Sequence, residues 1–276
     1  MTETRQPSLL WRAYETLAMG IGLGGLAVLC LLWLPFAMVL YPLLPKVAGQ
    51  TLGRHAISLI ARVYLGLLKW VCACRFDLGE LDRLRSDAPL IVAANHPSLL
   101  DAVLILSRLP NAVCVMKASL MDNVLFGSGA RLARYIRNHA PVEMVLGARE
   151  ELRGGAQLII FPEGTRTSDF PVGPCLPGTA LIAARAGVPV QAVLIEFSTP
   201  YLGKAWPLFR PPQLPLRCRV RLGRRFDPPT DVRAFTLELE AYFRAELSEP
   251  PVAAVAAAAA LSEMSPCPKP PAAISS

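Results

Sequence analysis

From residue 16 to residue 45 the chain carries no charged side chain: TLAMGIGLGGLAVLCLLWLPFAMVLYPLLP. About 20 consecutive apolar residues cross the hydrocarbon of a bilayer as a helix, so this run is long enough to be a membrane segment. It is too long, and begins too far into the chain, for a typical cleaved signal peptide. Pro35 and Pro42 disfavour one straight helix, which leaves a kinked span or a re-entrant hairpin as alternatives. Arg5 and Arg12 precede the run and Lys46 and Arg54 follow it, so flanking charge does not set an orientation. Residues 1–15 read as a polar N-terminus.

Residues 50–74 have a different pattern. Thr51, Arg54, His55, Ser58, Arg62 and Lys69 recur at helical spacing on one narrow stripe. The remaining face carries Leu52, Ile57, Leu59, Ile60, Val63, Leu65, Leu67, Leu68 and Trp70. The spacing predicts an amphipathic helix in the membrane interface, with its cations toward the headgroups. The bland alternative is a helix buried against a globular domain.

Composition supports a lipid partner. The chain has 276 residues, 53% of them hydrophobic, and a formal net charge of +7. A basic surface favours anionic partners. The long apolar segments and the lack of any nucleic-acid-binding motif point to lipid headgroups and phosphorylated substrates, with no nucleic acid. Seven cysteines at scattered positions, an odd number, argue against a disulfide framework. Cys72 and Cys74 have no second pair at zinc spacing, and no metal is expected.

Beyond about residue 80 short apolar runs at 89–94, 112–117, 157–161, 189–197 and 217–222 read as strands. Helical patterns lie near 98–108, 119–134, 143–153, 178–186 and 230–247. This alternation predicts an α/β domain over 80–248, with a mostly parallel sheet flanked by helices. Residues 249–276 form a low-complexity Ala/Pro tail, expected to be disordered.

Two polar segments close apolar strands. The first is Ile91-Val-Ala-Ala-Asn-His-Pro-Ser-Leu-Leu-Asp101, which places His96 at a strand C-terminus, where open α/β sheets carry their sites. Asp101 falls in the first turn of the next helix, within reach of the imidazole. A carboxylate on one ring nitrogen fixes the tautomer and raises basicity at the other. A base so held can take a proton from an alcohol as it attacks a carbonyl. Ser98-Leu-Leu-Asp101 also fits the spacing of a capping box, so spacing alone leaves both readings open. The second segment is Phe161-Pro162-Glu163-Gly164-Thr165-Arg166. There a guanidinium can grip phosphate in a bidentate fork, and a glycine allows close backbone approach; a solvated turn is the alternative.

Asn95-His96-Pro-Ser-Leu-Leu-Asp101 followed by Phe161-Pro-Glu-Gly-Thr-Arg166 resembles the two strongest blocks of the glycerophospholipid acyltransferase family. Its best-known members are the 1-acylglycerol-3-phosphate acyltransferases. The resemblance covers roughly residues 85–200. It implies His96 as general base and Asp101 as its orienting partner. It further implies that Asn95, Glu163, Gly164, Thr165 and Arg166 bind the acceptor. The reaction implied is transfer of a fatty acyl group to a lysophospholipid hydroxyl. Its co-substrate is acyl-CoA or acyl carrier protein, with no cofactor. The enzyme would sit in a bacterial inner membrane with its site on the cytoplasmic face. Three departures bear on acceptor recognition. Arg134-Tyr-Ile-Arg-Asn138 matches the family's middle block poorly, Pro177 stands where many members carry a cation, and Ala192 replaces a later proline. A different acceptor, such as lyso-ornithine lipid, and a catalytically silent lipid-binding protein are the competing readings. The absence of a Gly-x-Ser-x-Gly elbow argues against a serine hydrolase, and the lack of a P-loop or Gly-x-Gly-x-x-Gly argues against a nucleotide-dependent enzyme.

Overall fold

The computed structural model describes residues 8–87, 89–207 and 210–248; the Ala/Pro tail lies outside them. Seven strands form one sheet in the order β1-β7-β6-β2-β5-β3-β4. In chain order they are β1 (Cys74–Asp77), β2 (Leu90–Ala94), β3 (Ala112–Lys117), β4 (Ile136–Asn138), β5 (Gln157–Ile160), β6 (Val190–Phe197) and β7 (Leu216–Phe226). β6, β2, β5, β3 and β4 run parallel, and β7 is antiparallel to β6. The expected mostly parallel α/β sheet is therefore present. β1 and β4, both short and half-polar, were not expected; their CRFD and IRN runs lack the apolar length that marks a strand. β2 and β5 are buried at every position, as central parallel strands covered on both faces must be.

The helices are α1 (Leu9–Leu43), α2 (Lys46–Val71), α3 (Asp101–Leu106), α4 (Ala118–Asp122), α5 (Val124–Leu132), α6 (Pro141–Arg153), α7 (Gly178–Ala186) and α8 (Val232–Ser248). α6, α7 and α8 pack together as one layer, and α1, α2, α3 and α5 as another. Leu and Ile side chains of β2 and β5 join Leu104, Ile105, Ile182 and Phe243 in the core between them.

α1 begins at Leu9, inside the stretch read as a polar N-terminus, and continues through Pro35 and Pro42. Neither proline ends the helix; the chain reverses at Leu44–Pro45, and α2 returns antiparallel to α1. Tyr14 Oη donates to the Val71 carbonyl at 2.8 Å at one end of this hairpin. Near the other end Trp33 lies against Gly129 of α5, and Arg134 sits over the Tyr41 ring at 5.3 Å.

The polar stripe of α2 is not turned uniformly outward. Arg54 and Ser58 are buried against the domain, while Leu52, Leu59, Val63 and Trp70 are exposed. Arg54 donates to the Ala133 carbonyl at 3.2 Å and to Asn111 at 2.9 Å, and pairs with Glu151 at 2.5 Å. A buried guanidinium requires such partners, and no helical-wheel argument supplies them. The amphipathic expectation holds only in part: Arg54 and Ser58 turn to protein while Arg62 and Lys69 are exposed, and Leu65 and Leu68 are buried while Leu52, Leu59, Val63 and Trp70 look out.

Gly53 marks a close approach of α2 to the C-terminal end of α5. A Cβ there would stand 2.7 Å from the Ala133 nitrogen and 2.9 Å from its Cα. Gly53→Ala must push backbone against backbone and is expected to cost about 1–3 kcal/mol. A thermal scan of the detergent-solubilised protein should show a melting temperature lowered by several degrees.

Candidate active site

The register of β2 with β5 builds the site. Ala93 pairs with Ile160, so three residues further on His96 and Glu163 stand side by side at the C-terminal edge. The His96 N–H donates to Glu163 Oε1 at 3.0 Å, and its carbonyl accepts from the Thr167 N–H at 2.7 Å. Both polar segments of the sequence are thus joined through the main chain of the histidine itself.

The imidazole is held from three directions. Nδ1 lies 2.8 Å from Asp101 Oδ2. The Phe161 ring stacks on the imidazole with centroids 3.9 Å apart and planes 16° from parallel. The turn beneath is closed by the Ser98 N–H, which donates to the same Asp101 Oδ2 at 2.8 Å, and by Ser98 Oγ, which accepts from Leu100. The two readings of Ser98-x-x-Asp101 are therefore one structure: the carboxylate caps the turn and also binds the ring. With Nδ1 engaged, Nε2 has no hydrogen-bond partner among the described residues, and the His96 side chain keeps 18% exposure.

Asp101 is fully buried. Burial pushes its carboxyl up to about 6, against the opposing pull of His96 and the Ser98 N–H; the nearby Glu163 adds to the rise. Oδ1 finds no partner among the described residues, which leaves half of a buried carboxylate poorly solvated.

The other expected ligand-binding residues divide. Asn95 was expected to touch substrate, yet its amide faces away from solvent. Nδ2 donates to the Ile195 carbonyl at 2.9 Å, and Oδ1 accepts the Ile195 N–H at 2.8 Å. It extends the β2–β6 ladder past the end of the β2 backbone, and both its ends are occupied. Glu163 likewise points inward. Oε1 also accepts from Thr167 Oγ1 at 2.7 Å, and Oε2 from the Gly173 N–H at 2.8 Å. Three donors around one buried carboxylate make it the knot of two loops. Gly164 adopts φ +66° and faces solvent, a backbone state that glycine enters without strain. Thr165 is exposed beside it.

Arg166 is half-buried, and Nη1 donates to the carbonyls of Leu202 and Gly203 at 2.9 and 2.6 Å. No carboxylate pairs with it among the described residues, so its charge is solvated by dipoles and remains available to an anion. Arg137, within the stretch that matches the family's middle block poorly, is held bidentately by Asp122 at 2.6 and 2.7 Å. Thr167, Gly173, Ile195 and Leu202 carry no sequence signal; they enter the site only through pairing and loop closure.

This edge can do specific chemistry: an oriented imidazole with a free Nε2, a buried carboxylate behind it and a guanidinium in the adjoining loop. Residues 75–196 match the family model described as Acyltransferase. The chain is 30% identical over 125 residues to a chloroplastic 1-acyl-sn-glycerol-3-phosphate acyltransferase of Brassica napus, covering 43% of this chain and 36% of that protein. It is 24% identical over 181 residues to the 1-acyl-sn-glycerol-3-phosphate acyltransferase of Pseudomonas aeruginosa, covering 63% of this chain and 67% of that one. Its fold matches the crystal structure of the 1-acyl-sn-glycerophosphate acyltransferase from Thermotoga maritima. That match has a TM-score of 0.59 and 20% identity, over 81% of this chain and 94% of that one. Against the first curated relatives the match spans 36–43% of their length.

Removing the Glu163 carboxylate tests the architecture apart from any reaction. Glu163→Ala strands the His96 N–H, the Thr167 hydroxyl and the Gly173 N–H, at about 1–3 kcal/mol for each buried donor left unpaired. The expected result is a large drop in the urea midpoint, greater than for Thr165→Ala, whose side chain is exposed.

Proposed function

We propose, from the match of residues 75–196 to the Acyltransferase family model and the likeness to 1-acyl-sn-glycerol-3-phosphate acyltransferases, that this chain moves a fatty acyl group from a thioester donor to the hydroxyl of a lysophospholipid such as 1-acylglycerol-3-phosphate. The observation that carries the reading is the His96 Nδ1–Asp101 contact of 2.8 Å with Nε2 left open. In this reading Asp101 holds the proton on Nδ1, and Nε2 takes the proton of the acceptor hydroxyl. The acceptor oxygen forms a bond to the thioester carbonyl carbon, the C–S bond breaks, and the imidazolium returns its proton to the departing thiolate. Acyl-CoA or acyl carrier protein supplies the thioester, and no step calls on a metal or cofactor. Arg166 and Thr165 face the acceptor's anionic group, while Asn95 and Glu163 hold the walls that carry them.

The acceptor lies in a membrane, and α1 supplies the means to reach it. α1 is the one helix among the described residues long and apolar enough to cross a bilayer. It is fastened to the domain at both ends: Glu15 accepts the Leu214 N–H at 3.2 Å, and Tyr41 lies under Arg134. Those anchors are 26 residues apart in sequence, roughly 39 Å of helix at 1.5 Å per residue. The hydrocarbon of a bilayer is about 30 Å thick. Crossing it would carry the polar domain along, so in this reading α1 lies in the plane of one leaflet, with Leu17, Val28, Leu31, Leu32 and Phe36 in the acyl chains. Both donors are cytoplasmic, which places the site on that face.

Three outcomes are expected. Membranes holding the wild type should transfer acyl groups to lysophosphatidate from acyl-CoA or acyl carrier protein, and His96→Ala at equal expression should lose about 10²–10⁴-fold; equal rates in both would remove His96 from the mechanism. Asp101 must be ionised to hold the Nδ1 proton, so kcat/KM should fall as pH drops through about 6, where the buried carboxyl takes up a proton. Asp101→Asn should lower kcat at every pH. In a background without the native cysteines, single cysteines at Leu10 and Leu43 should label from the same side of sealed vesicles. Labelling from opposite sides would mean that α1 spans.

A further inference from the structure

Leu202 is a buried, non-glycine residue with φ +52°. Leucine enters this left-handed region only under constraint, because Cβ crowds the backbone there. Strain of this kind persists where surrounding structure over-determines the conformation, and such sites cluster at functional loops. Leu202 lies in the connection from β6 to β7, outside both motifs that define the family resemblance. Its carbonyl accepts twice, from the Leu99 N–H at 3.2 Å and from Arg166 Nη1 at 2.9 Å. The Gly203 carbonyl also accepts twice, from the Trp206 N–H at 3.2 Å and from Arg166 at 2.6 Å. The twisted backbone thus aims two adjacent carbonyls at one guanidinium and ties them to the turn that carries His96.

The same connection is pinned to α1. Tyr201 is buried and donates through Oη to Met19 Sδ at 3.4 Å, with Gly22 opening the space beside it. Further along, the Leu214 N–H donates to Glu15 Oε1, which also accepts Trp11 Nε1 at 3.1 Å. Glu15 is the acid of α1, and its bond to the Leu214 N–H ties the helix to the connection.

We propose that Tyr201–Gly203 positions the acceptor-binding guanidinium: the strained Leu202 carbonyl sets the direction of Arg166, and Glu15 and Met19 of α1 hold the strap from which it does so. Leu202, Tyr201 and Glu15 are positioning residues, acting through Arg166 and not on the reacting atoms. Affinity for an anionic acceptor then depends on how α1 is seated. This rests on the acceptor-binding role given to Arg166 above.

The experiment uses the full chain in dodecyl maltoside. Binding of lysophosphatidate is read from tryptophan fluorescence, since Trp206 meets Tyr201 edge-on with ring centroids 5.8 Å apart; a Trp206→Phe variant identifies the reporter. Leu202→Gly releases the backbone constraint, and Glu15→Ala cuts the remote anchor without touching the loop. Each is expected to weaken lysophosphatidate binding and raise the acceptor KM about tenfold, while the donor KM stays within twofold. Arg166→Lys keeps the charge but, with its one nitrogen engaged by the Leu202 and Gly203 carbonyls, has no second nitrogen to offer an anion, and should weaken binding at least as much. A structural role alone would depress the melting temperature and both KM values together. Unchanged acceptor affinity in both Leu202→Gly and Glu15→Ala overturns the proposal, as does a wild type that binds lysophosphatidate no better than Arg166→Lys does. If binding weakens as described but no acyl group is transferred by the wild type, the positioning role stands and the acyltransferase reading falls.

Discussion

Parallel pairing of β2 with β5 in the Ala93–Ile160 register is the constraint from which the site follows. It sets the two strand ends level, so that the next three residues of each chain segment bring His96 against Glu163. A slip of one residue would turn every side chain of a strand to the opposite face, and both strands are buried on both faces. The core therefore fixes the register, and the register fixes the site. Glu163 then converts proximity into a rigid link by accepting from the His96 N–H, the Thr167 hydroxyl and the Gly173 N–H. The cost of burying one carboxylate is offset by three donors that would otherwise be buried unpaired.

Asp101 presents the opposite balance. Its Oδ2 is well satisfied by His96 Nδ1 and the Ser98 N–H, but Oδ1 is not. Desolvation outweighs the attractive partners, and the carboxyl rises to about 6. A buried carboxylate this close to neutrality gains from any proton or positive charge on the imidazole. In the proposed mechanism that is the charge which develops when Nε2 removes a proton from an alcohol. The incomplete solvation that makes Asp101 expensive in the resting fold becomes stabilisation as the ring charges. Phe161, stacked at 3.9 Å on the ring, excludes water from one side and keeps that interaction in a low dielectric.

Much of this was legible in the sequence, and the failures share a cause. The positions of the longer strands and the parallel class follow from periodicity, while the two polar segments were joined into one site only by the family resemblance. Asn95 and Glu163 were expected to reach outward to a ligand. Both face inward, because a parallel sheet that ends inside a covered layer leaves backbone groups which side chains must satisfy. Arg54 failed in the same way: on a helical wheel it belongs with the solvated stripe, and in the fold it is fastened to Ala133, Asn111 and Glu151. Polar residue types announce a need for partners; the sequence does not say whether those partners are ligand or protein. The strap at Leu202 gave no signal at all, since leucine carries no hint of a left-handed backbone.

With Asn95 and Glu163 occupied, few groups remain to meet an acceptor: Nε2 of His96, the exposed Gly164–Thr165 edge and Arg166. In the proposed reading one guanidinium solvated by carbonyl dipoles recognises the acceptor's anion with little shape discrimination. Selectivity must then come largely from where the acceptor is held relative to Nε2. α1 bears on that depth. It lies along the domain from Glu15 to Tyr41, with its glutamate and methionine joined to the loop that holds Arg166. A lysophospholipid anchored by its acyl chain presents its hydroxyl at a fixed height above the hydrocarbon. In the proposed reading, with α1 lying in that leaflet, the domain presents Nε2 at a fixed height as well. Two groups restricted to one plane need far less binding energy to meet than two groups free in three dimensions, so a sparse site suffices provided that the membrane helix and the guanidinium are mechanically one unit.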